Sequence, residues 1–477
     1  MNFEQLYIGG KWIPSDSGDW IDVENPATRE IIGRVPRGNG VDVDKAVKAA
    51  SLAFSAWANT SVEERIGYME KVLEYMLSQK QLLIDLETGE LGAPVKWAER
   101  AHVNGPIGRL ENFIRLIGKY EFVSELKHGK VVKEPIGVVG CLTPWNYPLG
   151  QVMQKIVPAI LCGNTVVLKP SQIAPLSAGV LAKAFEYAGV PDGVFNLVTG
   201  RAGEVGNALA LHEKVDMISF TGSTNGGKEV GKLALEGVKK IALELGGKSA
   251  NVILKGADYE KAVKTGLSSC FDNTGQTCAA LTRMLVPRDE LAKIEDLIIE
   301  HAKTFIVGDP KLVTTHIGPL ASLKQYEKVK KYIEIGIEEG ARLIVGEVPG
   351  AIETGYFVNP CVFTDVRNDM KIAQEEIFGP VICVIPFDTI EEAIEIANDT
   401  IYGLSGAVFG PMEDAKRVAM AMKTGSVYIN DGKRDIDAPF GGYKQSGIGR
   451  EGGTYGIDEF LEIKAVFDEE NKIVAID

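Results

Sequence analysis

One of the six cysteines lies in a segment whose composition suits a reactive thiol. Cys278 stands in NTGQTCAA, a loop-like run of amides, glycine and threonine. Reactive cysteines occupy partly exposed polar sites, whereas structural cysteines lie in apolar runs. The others lie in apolar runs (Cys141, Cys162 and Cys383) or in segments that favour neither role (Cys270 and Cys361). The context favours Cys278 as a nucleophile, and a packing role in the core is the alternative.

Two further polar side chains follow apolar runs that are typical of strands. Glu244 ends the run Ile241–Leu243 and precedes a glycine pair, and Asn146 follows the run GVVGCLTPW directly. Ligands of open α/β sheets bind at the carboxyl ends of strands, which is where Glu244 would lie. An amide at the position of Asn146 could donate a hydrogen bond to a developing oxyanion. Taken alone, each could instead be an ordinary turn residue.

The segment SFTGST has the pattern of an anion-binding turn. The apolar run VDMISF leads into Thr221, Gly222 and Ser223, and the helical pattern NGGKEVGKLALEG follows. A glycine and a hydroxyl at a helix N-terminus present free N–H groups to an anion, although an ordinary strand–turn–helix connection fits equally well. A literal G-x-G-x-x-G match occupies residues 447–452. We reject it as a pyrophosphate loop, because no apolar strand precedes it and no clear helix follows it.

The elements that must position these residues alternate between strands and helices. From Gly137, apolar β-branched runs alternate with helical stretches, which predicts a parallel sheet covered on both faces. A second such series begins after about residue 250. Before them, Ser61 and Glu64 have the spacing of a helix capping box. Residues 121–135 predict a polar hairpin, and the segment from Ile457 alternates like a strand.

Composition limits the class of protein. A chain of 477 residues with 45% hydrophobic and 24% charged residues predicts a globular protein of about three domains, or two with an appendage. The net charge of −14 disfavours nucleic acid as a partner. No segment approaches the roughly 18 apolar residues of a membrane-spanning helix, the N-terminus lacks a leader pattern, and no metal-ligand or disulfide spacing occurs. We therefore expect a cytoplasmic enzyme with reduced thiols, no metal and no membrane partner.

Together, the motifs resemble those of the NAD(P)-dependent aldehyde dehydrogenase superfamily. The matching segments are, in order, TPWNYP, KPSQ, FTGST, ELGGK, NTGQTCAA, EEIFGP and PFGGYKQSGIGRE. The resemblance implies an α/β fold with two open-sheet domains and a small β oligomerisation arm. The Rossmann-like cofactor-binding domain would take residues 1–121 and 136–246, and the catalytic domain residues 247–446. The arm would take residues 122–135 and 447–477.

The resemblance also implies a role for each catalytic candidate. Cys278, as a thiolate, attacks the aldehyde carbon to give a thiohemiacetal. The side-chain amide of Asn146 and the backbone N–H of Cys278 hold the oxyanion. Hydride transfer to the nicotinamide leaves a thioester, and Glu244 takes a proton from the water that hydrolyses it to the acid. The implied partners are a small aldehyde and further copies of the chain, in a homodimer or homotetramer.

The resemblance assigns further residues to the cofactor. They are Lys169 at the adenosine ribose, Gly222 and Ser223 at the pyrophosphate, Glu376 and Phe378 at the nicotinamide ribose, and Trp145 in the same region. Gln172 departs from the family pattern, because NAD-preferring members commonly have a glutamate there that accepts hydrogen bonds from ribose hydroxyls. An amide does not repel a 2′-phosphate. We therefore expect NAD to be used and NADP also to be accepted.

The residues that align with the aldehyde tunnel are unusually polar. Gln154, Asp272 and Arg434 align with positions that are often aromatic in broad-range members, whereas Tyr147 and Phe440 keep an aromatic ring. Because an apolar chain would have to desolvate these polar groups, the pattern favours a polar or charged aldehyde. Drift of the loops is the alternative interpretation.

Two other functions fit the same scaffold. A CoA-acylating aldehyde dehydrogenase would use CoA instead of water as the acyl acceptor, but such members tend to lack a glutamate at the position of Glu244. A catalytically idle binding protein would be expected to have lost the nucleophile. Cys278, Asn146 and Glu244 are all present, which favours an enzyme that forms the acid.

Overall fold

The computed structural model describes residues 3–467. Its strands fall into four sheets. In chain order they are β1 (Leu6–Ile8), β2 (Lys11–Ile13), β3 (Trp20–Glu24), β4 (Ile31–Pro36), β5 (Val123–Leu126), β6 (Gly129–Pro135), β7 (Val138–Leu142), β8 (Thr165–Lys169), β9 (Phe195–Leu197), β10 (Met217–Thr221), β11 (Lys240–Glu244), β12 (Ala250–Ile253), β13 (Arg283–Pro287), β14 (Arg342–Val345), β15 (Cys361–Thr364), β16 (Val381–Phe387), β17 (Ser405–Phe409), β18 (Ser426–Ile429), β19 (Gly447–Ile448) and β20 (Leu461–Val466).

The α-helices cover the sheets. They are α1 (Gly40–Ala58), α2 (Val62–Ser78), α3 (Lys80–Leu86), α4 (Val95–Trp97), α5 (Gly105–Ile117), α6 (Pro148–Leu161), α7 (Leu176–Ala188), α8 (Asn207–Leu211), α9 (Thr224–Glu236), α10 (Tyr259–Phe271), α11 (Leu291–Ala302), α12 (Leu323–Glu338), α13 (Lys371–Gln374), α14 (Ile390–Asn398), α15 (Met412–Ala421) and α16 (Gly453–Asp458). Ser61 caps α2 by accepting a hydrogen bond from the backbone N–H of Glu64, as its spacing predicted. Within residues 3–467, no helix is long and apolar enough to cross a membrane.

The first large sheet has eight strands in the order β19-β11-β10-β7-β8-β9-β1-β2. Its centre, from β11 to β9, is parallel, and its β7 and β8 strands are buried throughout, as the continuous apolar runs predicted. Thr221 lies beside Glu244 in the register of β10 and β11, and Leu142 lies beside Lys169 in that of β7 and β8. The carboxyl ends of four strands therefore share one edge.

The second large sheet has seven strands in the order β14-β15-β16-β13-β12-β17-β18. All neighbouring pairs from β15 to β18 are parallel, and only β14 runs antiparallel. The sequence predicted this second α/β series after about residue 250. Cys278 lies in the connection between α10 and β13.

A three-stranded antiparallel sheet of β5, β6 and β20 lies apart from the two large sheets. The hairpin expected at residues 121–135 is present, and β20 pairs with β6 from Leu461 opposite Pro135 to Val466 opposite Lys130. Residues 447–448, which the resemblance assigned to the arm, instead form β19 and pair with β11. Residues 468–477 of the expected arm lie outside the described part of the chain.

Candidate active site

Cys278 is half-buried, and the other five cysteines are buried. Burial, together with the nearby carboxylates of Glu376 and then Glu244, raises the pKa of the Cys278 thiol to about 12. The loop before it is unusual, because Asn273 and Thr274 have φ of 54° and 59°, in the left-handed region. The thiol is therefore protonated at rest, and it is held at the end of a tightly turned loop.

A set of side-chain amides fixes this loop against the first sheet. Nδ2 of Asn146 donates to the carbonyl oxygen of Gln276 at 2.9 Å, and Nδ2 of Asn273 donates to the carbonyl oxygen of Asn146 at 2.8 Å. Nε2 of Gln276 donates to the carbonyl oxygen of Asn273 at 3.2 Å. Asn146 is buried, with 3% of its surface exposed. The sequence placed Asn146 and Cys278 in one site, and these bonds join their two segments.

Sequence reasoning missed a buried histidine and carboxylate behind the loop. Nε2 of His102 lies 3.1 Å from Oδ1 of Asn273, and its Nδ1 lies 3.4 Å from Oε2 of Glu87. The side chains of His102 and Glu87 are fully buried, and the His102 ring stacks on Tyr147 with centroids 4.7 Å apart. No local signal marks this group, because 171 positions separate His102 from Asn273. The His102 ring therefore supports the loop that leads to Cys278.

Glu244 ends β11 and is 4% exposed. Neither of its side-chain oxygens has a hydrogen-bond partner among the described residues. Burial raises the pKa of Glu244 well above its usual range, and the neighbouring carboxylate of Glu451 adds to this effect. Glu451 is itself bound by Nζ of Lys155 at 2.5 Å. A buried carboxylate without a donor and with a raised pKa is suited to accepting a proton.

The predicted cofactor residues on the first sheet lie at the shared strand edge. Lys169 ends β8, and burial lowers its pKa to about 8. The turn from β10 to α9 contains Gly222, whose N–H donates to the carbonyl oxygen of Glu244 at 3.0 Å. Ser223 caps α9 by accepting a hydrogen bond from the N–H of Gly226 at 3.1 Å. Gln172 and Ser223 are exposed at the surface, whereas Lys169 is buried.

Residues from the second half of the chain complete this side. Oε1 of Glu376 accepts a hydrogen bond from the N–H of Gly247 at 3.0 Å, and burial raises the pKa of Glu376. Phe378 has a φ of 62° and meets Trp145 edge to face, with ring centroids 5.4 Å apart. Glu376 and Phe378 therefore contact segments that follow strands β11 and β7 of the first sheet.

The strand edge has features that fit a dinucleotide. A Cβ atom on Gly246 would lie 2.5 Å from Oε2 of Glu376, so a larger residue would displace this carboxylate. Oγ1 of Thr221 is buried without a hydrogen-bond partner among the described residues. A buried cation at Lys169 and the N-terminus of a 13-residue helix at Ser223 would both favour phosphate. By contrast, the rejected match at residues 447–452 begins as the edge strand β19.

A cavity of about 240 Å³ lies beside α5 and α6. Its lining residues are Gly105, Arg109, Asn112, Phe113, Gln154, Arg434, Ile436, Gly452 and Gly453. Two of the three polar positions expected in the tunnel, Gln154 and Arg434, therefore share one cavity. Asp272 does not line it, and its carboxylate lies 3.9 Å from Arg100. Arg109 was missed, because nothing in its helical segment distinguishes it from a solvated arginine.

Comparisons with known proteins agree over nearly the whole chain. The model of the aldehyde dehydrogenase family matches residues 12–466. A 3-succinoylsemialdehyde-pyridine dehydrogenase from a Pseudomonas species is 47% identical, over 98% of this chain and 99% of its own length.

Solved structures show the same likeness. A mutant of aldehyde dehydrogenase C from Pseudomonas syringae, in complex with NAD+ and octanal, is 44% identical with a TM-score of 0.95, covering 97% of this chain and 96% of its own. Aldehyde dehydrogenase from Mycobacterium tuberculosis, complexed with NAD+, is 41% identical with a TM-score of 0.96, covering 99% of this chain and 100% of its own. These likenesses confirm the predicted fold class and enzyme class. The chain belongs to the aldehyde dehydrogenase family, whose general reaction is the NAD(P)-dependent oxidation of an aldehyde to the carboxylic acid.

Proposed function

We propose that the enzyme oxidises its aldehyde through a covalent intermediate on Cys278. The observation that carries the proposal is the convergence of three groups. Cys278 is the half-buried thiol. The side-chain amide of Asn146 donates a hydrogen bond to the carbonyl oxygen of Gln276, two residues before Cys278, and the carboxylate of Glu244 lies close enough to raise the thiol pKa. A nucleophile, an oxyanion donor and a base are the groups that acyl chemistry on a thiol requires.

The first step joins the sulfur of Cys278 to the aldehyde carbon. Because the thiol pKa is raised to about 12, its proton must leave as the C–S bond forms, and we assign one of the two carboxylates that act on the thiol, Glu376 or Glu244, as the acceptor. The carbonyl oxygen gains the negative charge, and the Asn146 amide and the Cys278 backbone N–H stabilise it. One such donor typically contributes about 10²–10³ in rate.

The second half of the reaction releases the acid. When bound, the nicotinamide supplies the hydride acceptor, and the carbon on Cys278 becomes a thioester. Glu244 then accepts a proton from water, whose oxygen attacks the thioester carbon while the C–S bond breaks. A carboxylate with both oxygens free of donors and a raised pKa fits this role. The sulfur leaves with a proton, and the thiol is restored.

The same proposal assigns the cofactor contacts. Lys169 binds the adenosine ribose, Gly222 and Ser223 the pyrophosphate, and Glu376 and Phe378 the nicotinamide ribose, beside Trp145. The NAD+ complexes of the Pseudomonas syringae and Mycobacterium tuberculosis relatives support NAD as the cofactor. Gln172 is exposed and uncharged, so we propose that NADP is accepted as well.

We also propose the domain division and an assembly. The two large sheets would form the cofactor and catalytic domains, and β5, β6 and β20 the arm of a homodimer or homotetramer. On the arm, Ile463 and Phe467 are each 71% exposed, and β20 pairs on one side only within residues 3–467. An open strand edge with exposed apolar side chains favours pairing with another chain. Light scattering of Ile463→Asp should show smaller particles, and an unchanged mass would contradict this interface.

The cytoplasm is the proposed location, because six free cysteines suit a reducing compartment.

An isotope experiment tests the reaction. With NAD, a short aldehyde and ¹⁸O-water, the acid should carry one ¹⁸O atom from hydrolysis of the thioester, and rapid acid quenching should leave the acyl group on the peptide that contains Cys278. Addition of CoA should not increase the rate. An acyl group on another cysteine would refute the assignment of Cys278, and acyl-CoA as the product would favour the CoA-acylating alternative.

A further inference from the structure

Two arginines line the cavity of about 240 Å³ beside α5 and α6, which we call the outer cavity. Arg109 projects from α5 and is half-buried, and Arg434 lies on an exposed loop. Burial lowers the pKa of Arg109, and the positive charge of Arg434 lowers it further, which places the two guanidinium groups near each other. Two like charges in one small cavity are unfavourable unless an anion joins them.

Neither guanidinium is neutralised within the described residues. Nη1 of Arg109 donates to the carbonyl oxygen of Gly150 at 3.3 Å, and no described carboxylate forms an ion pair with it. Arg434 stacks over Phe440, with 4.9 Å from its guanidinium carbon to the ring centroid, and no described carboxylate pairs with it either. A partly desolvated charge without a counter-ion is a binding group for an anionic ligand.

The acidic side chains around the cavity are already bound. Asp437 accepts hydrogen bonds from Nδ2 of Asn112 at 2.9 Å and from Nη2 of Arg115 at 2.6 Å. Glu451 is bound by Lys155, and Asp272 lies beside Arg100. Asp435 uses its Oδ1 to accept from the backbone N–H of Asp437 at 2.9 Å. These contacts occupy the nearby carboxylates, although the charge of Glu451 still reaches Arg109 and partly offsets the lowering of its pKa.

The arginines are also placed correctly with respect to the thiol. Gly150, which Arg109 contacts, lies in the first turn of α6, and that helix begins two residues after Asn146. Cys278 is close enough to Arg109 to influence its pKa. An anionic group bound by Arg109 would therefore hold a short aldehyde with its carbonyl directed towards Cys278 and the Asn146 amide.

We propose that the preferred substrate is a short aldehyde with a carboxylate at its far end, bound by Arg109 and Arg434. Guanidinium groups bind carboxylates through paired hydrogen bonds, and Gln154 adds an uncharged polar group to the cavity wall. This inference rests on the proposed function, and it adds the substrate class. The octanal in the complex of the Pseudomonas syringae relative makes a neutral aliphatic aldehyde the natural competitor.

Kinetics with matched aldehydes test the proposal. In the parent, kcat/KM for 4-oxobutanoate should exceed that for its methyl ester, for butanal and for octanal by at least about tenfold. Arg109→Gln should lower kcat/KM for 4-oxobutanoate by about 10- to 100-fold, the range for a lost hydrogen bond to a charged group, and change that for butanal less than about threefold. Arg434→Gln should have a smaller effect in the same direction, because Arg434 is exposed. Arg288→Gln, which removes a remote surface guanidinium paired with Asp388, is the control.

A second measurement needs neither cofactor nor aldehyde. Iodoacetate and iodoacetamide alkylate the same thiol, but only the first is an anion. The ratio of the Cys278 alkylation rates, iodoacetate over iodoacetamide, should fall at least about fivefold in Arg109→Gln and recover in part in Arg109→Lys. An unchanged ratio, or octanal or butanal as the best parent substrate, would overturn the proposal. Absence of NAD(P) reduction with every aldehyde, alongside a changed alkylation ratio, would refute the proposed function instead.

Discussion

Two groups of ionisable side chains flank Cys278: an inner wall of carboxyl groups on the cofactor side and an outer wall of guanidinium groups in the neighbouring cavity. On the cofactor side, Glu244 is buried and Glu376 is half-buried, and the pKa values of both carboxyl groups are raised. On the outer side, Arg109 and Arg434 share a cavity without a paired carboxylate among the described residues. The inner wall makes the thiolate unfavourable and offers places for a proton, whereas the outer wall attracts an anion. The carboxyl groups of the inner wall are therefore suited to proton transfer, and the arginines of the outer wall are suited to the choice of substrate.

The largest expected effect comes from removing the group between the walls. Cys278→Ala should lower kcat at least about 10³-fold, because no other described cysteine is even half-exposed, while NAD binding measured by calorimetry should persist. Cys270→Ala, from a fully buried site, is the control and should keep most of its activity. Turnover near the parent rate in Cys278→Ala would place the nucleophile elsewhere.

The inner wall is tested next at Glu244. Glu244→Gln should retain the first turnover of hydride transfer and slow acid release by about 10²–10⁴-fold, because a neutral amide cannot accept the water proton. Rapid mixing should show a burst of NADH followed by slow turnover. Glu236→Gln, an exposed change of the same charge on α9, should behave like the parent. If the burst disappears together with the steady rate, Glu244 acts in the formation of the thioester.

A smaller effect is expected on the pKa of the Cys278 thiol when a carboxylate of the inner wall is removed. Because a neighbouring negative charge disfavours a second one, Glu376→Gln should lower the Cys278 pKa below its parent value of about 12. Alkylation by iodoacetamide at pH 8, without cofactor, should therefore be about three- to tenfold faster. In the parent, the rate should still be rising with pH above pH 10.

Glu375→Gln changes the adjacent, exposed carboxylate and is the matched control. If it accelerates alkylation as much as Glu376→Gln, the effect is a general one of net charge.

The sequence predicted the inner wall better than the outer one. Glu244, Asn146 and Cys278 each stand in a short motif, and the alternation of strands and helices predicted the parallel sheet that aligns strand ends such as Lys169 and Thr221. These features are local in sequence, so local patterns reveal them.

The residues that sequence reasoning missed contact partners that are far away in the sequence. His102 reaches Asn273 over 171 positions, and Arg109 reaches Gly150 over 41. Neither residue differs in its local context from a core histidine or a solvated arginine. Asp272 is an example of a residue that the alignment expected in the tunnel but that does not line the cavity. Its carboxylate lies beside Arg100 instead. Packing between distant helices decides such positions.

The last expected effect concerns Gln172, an exposed amide at the position where NAD-preferring members of the family commonly have a glutamate. Gln172→Glu should reduce kcat/KM with NADP relative to NAD. Two charges about 4 Å apart in water interact by about 1 kcal/mol, and Gln172 is exposed, so this screened value applies and discrimination should change by about five- to tenfold. Gln172→Met, which removes the hydrogen-bonding amide without adding charge, separates the two contributions and should leave the cofactor ratio within about twofold. Raising the salt concentration should weaken the effect of the glutamate, because exposed charges are screened. If Gln172→Glu discriminates no better than the parent at low salt, this position does not set the choice between NAD and NADP.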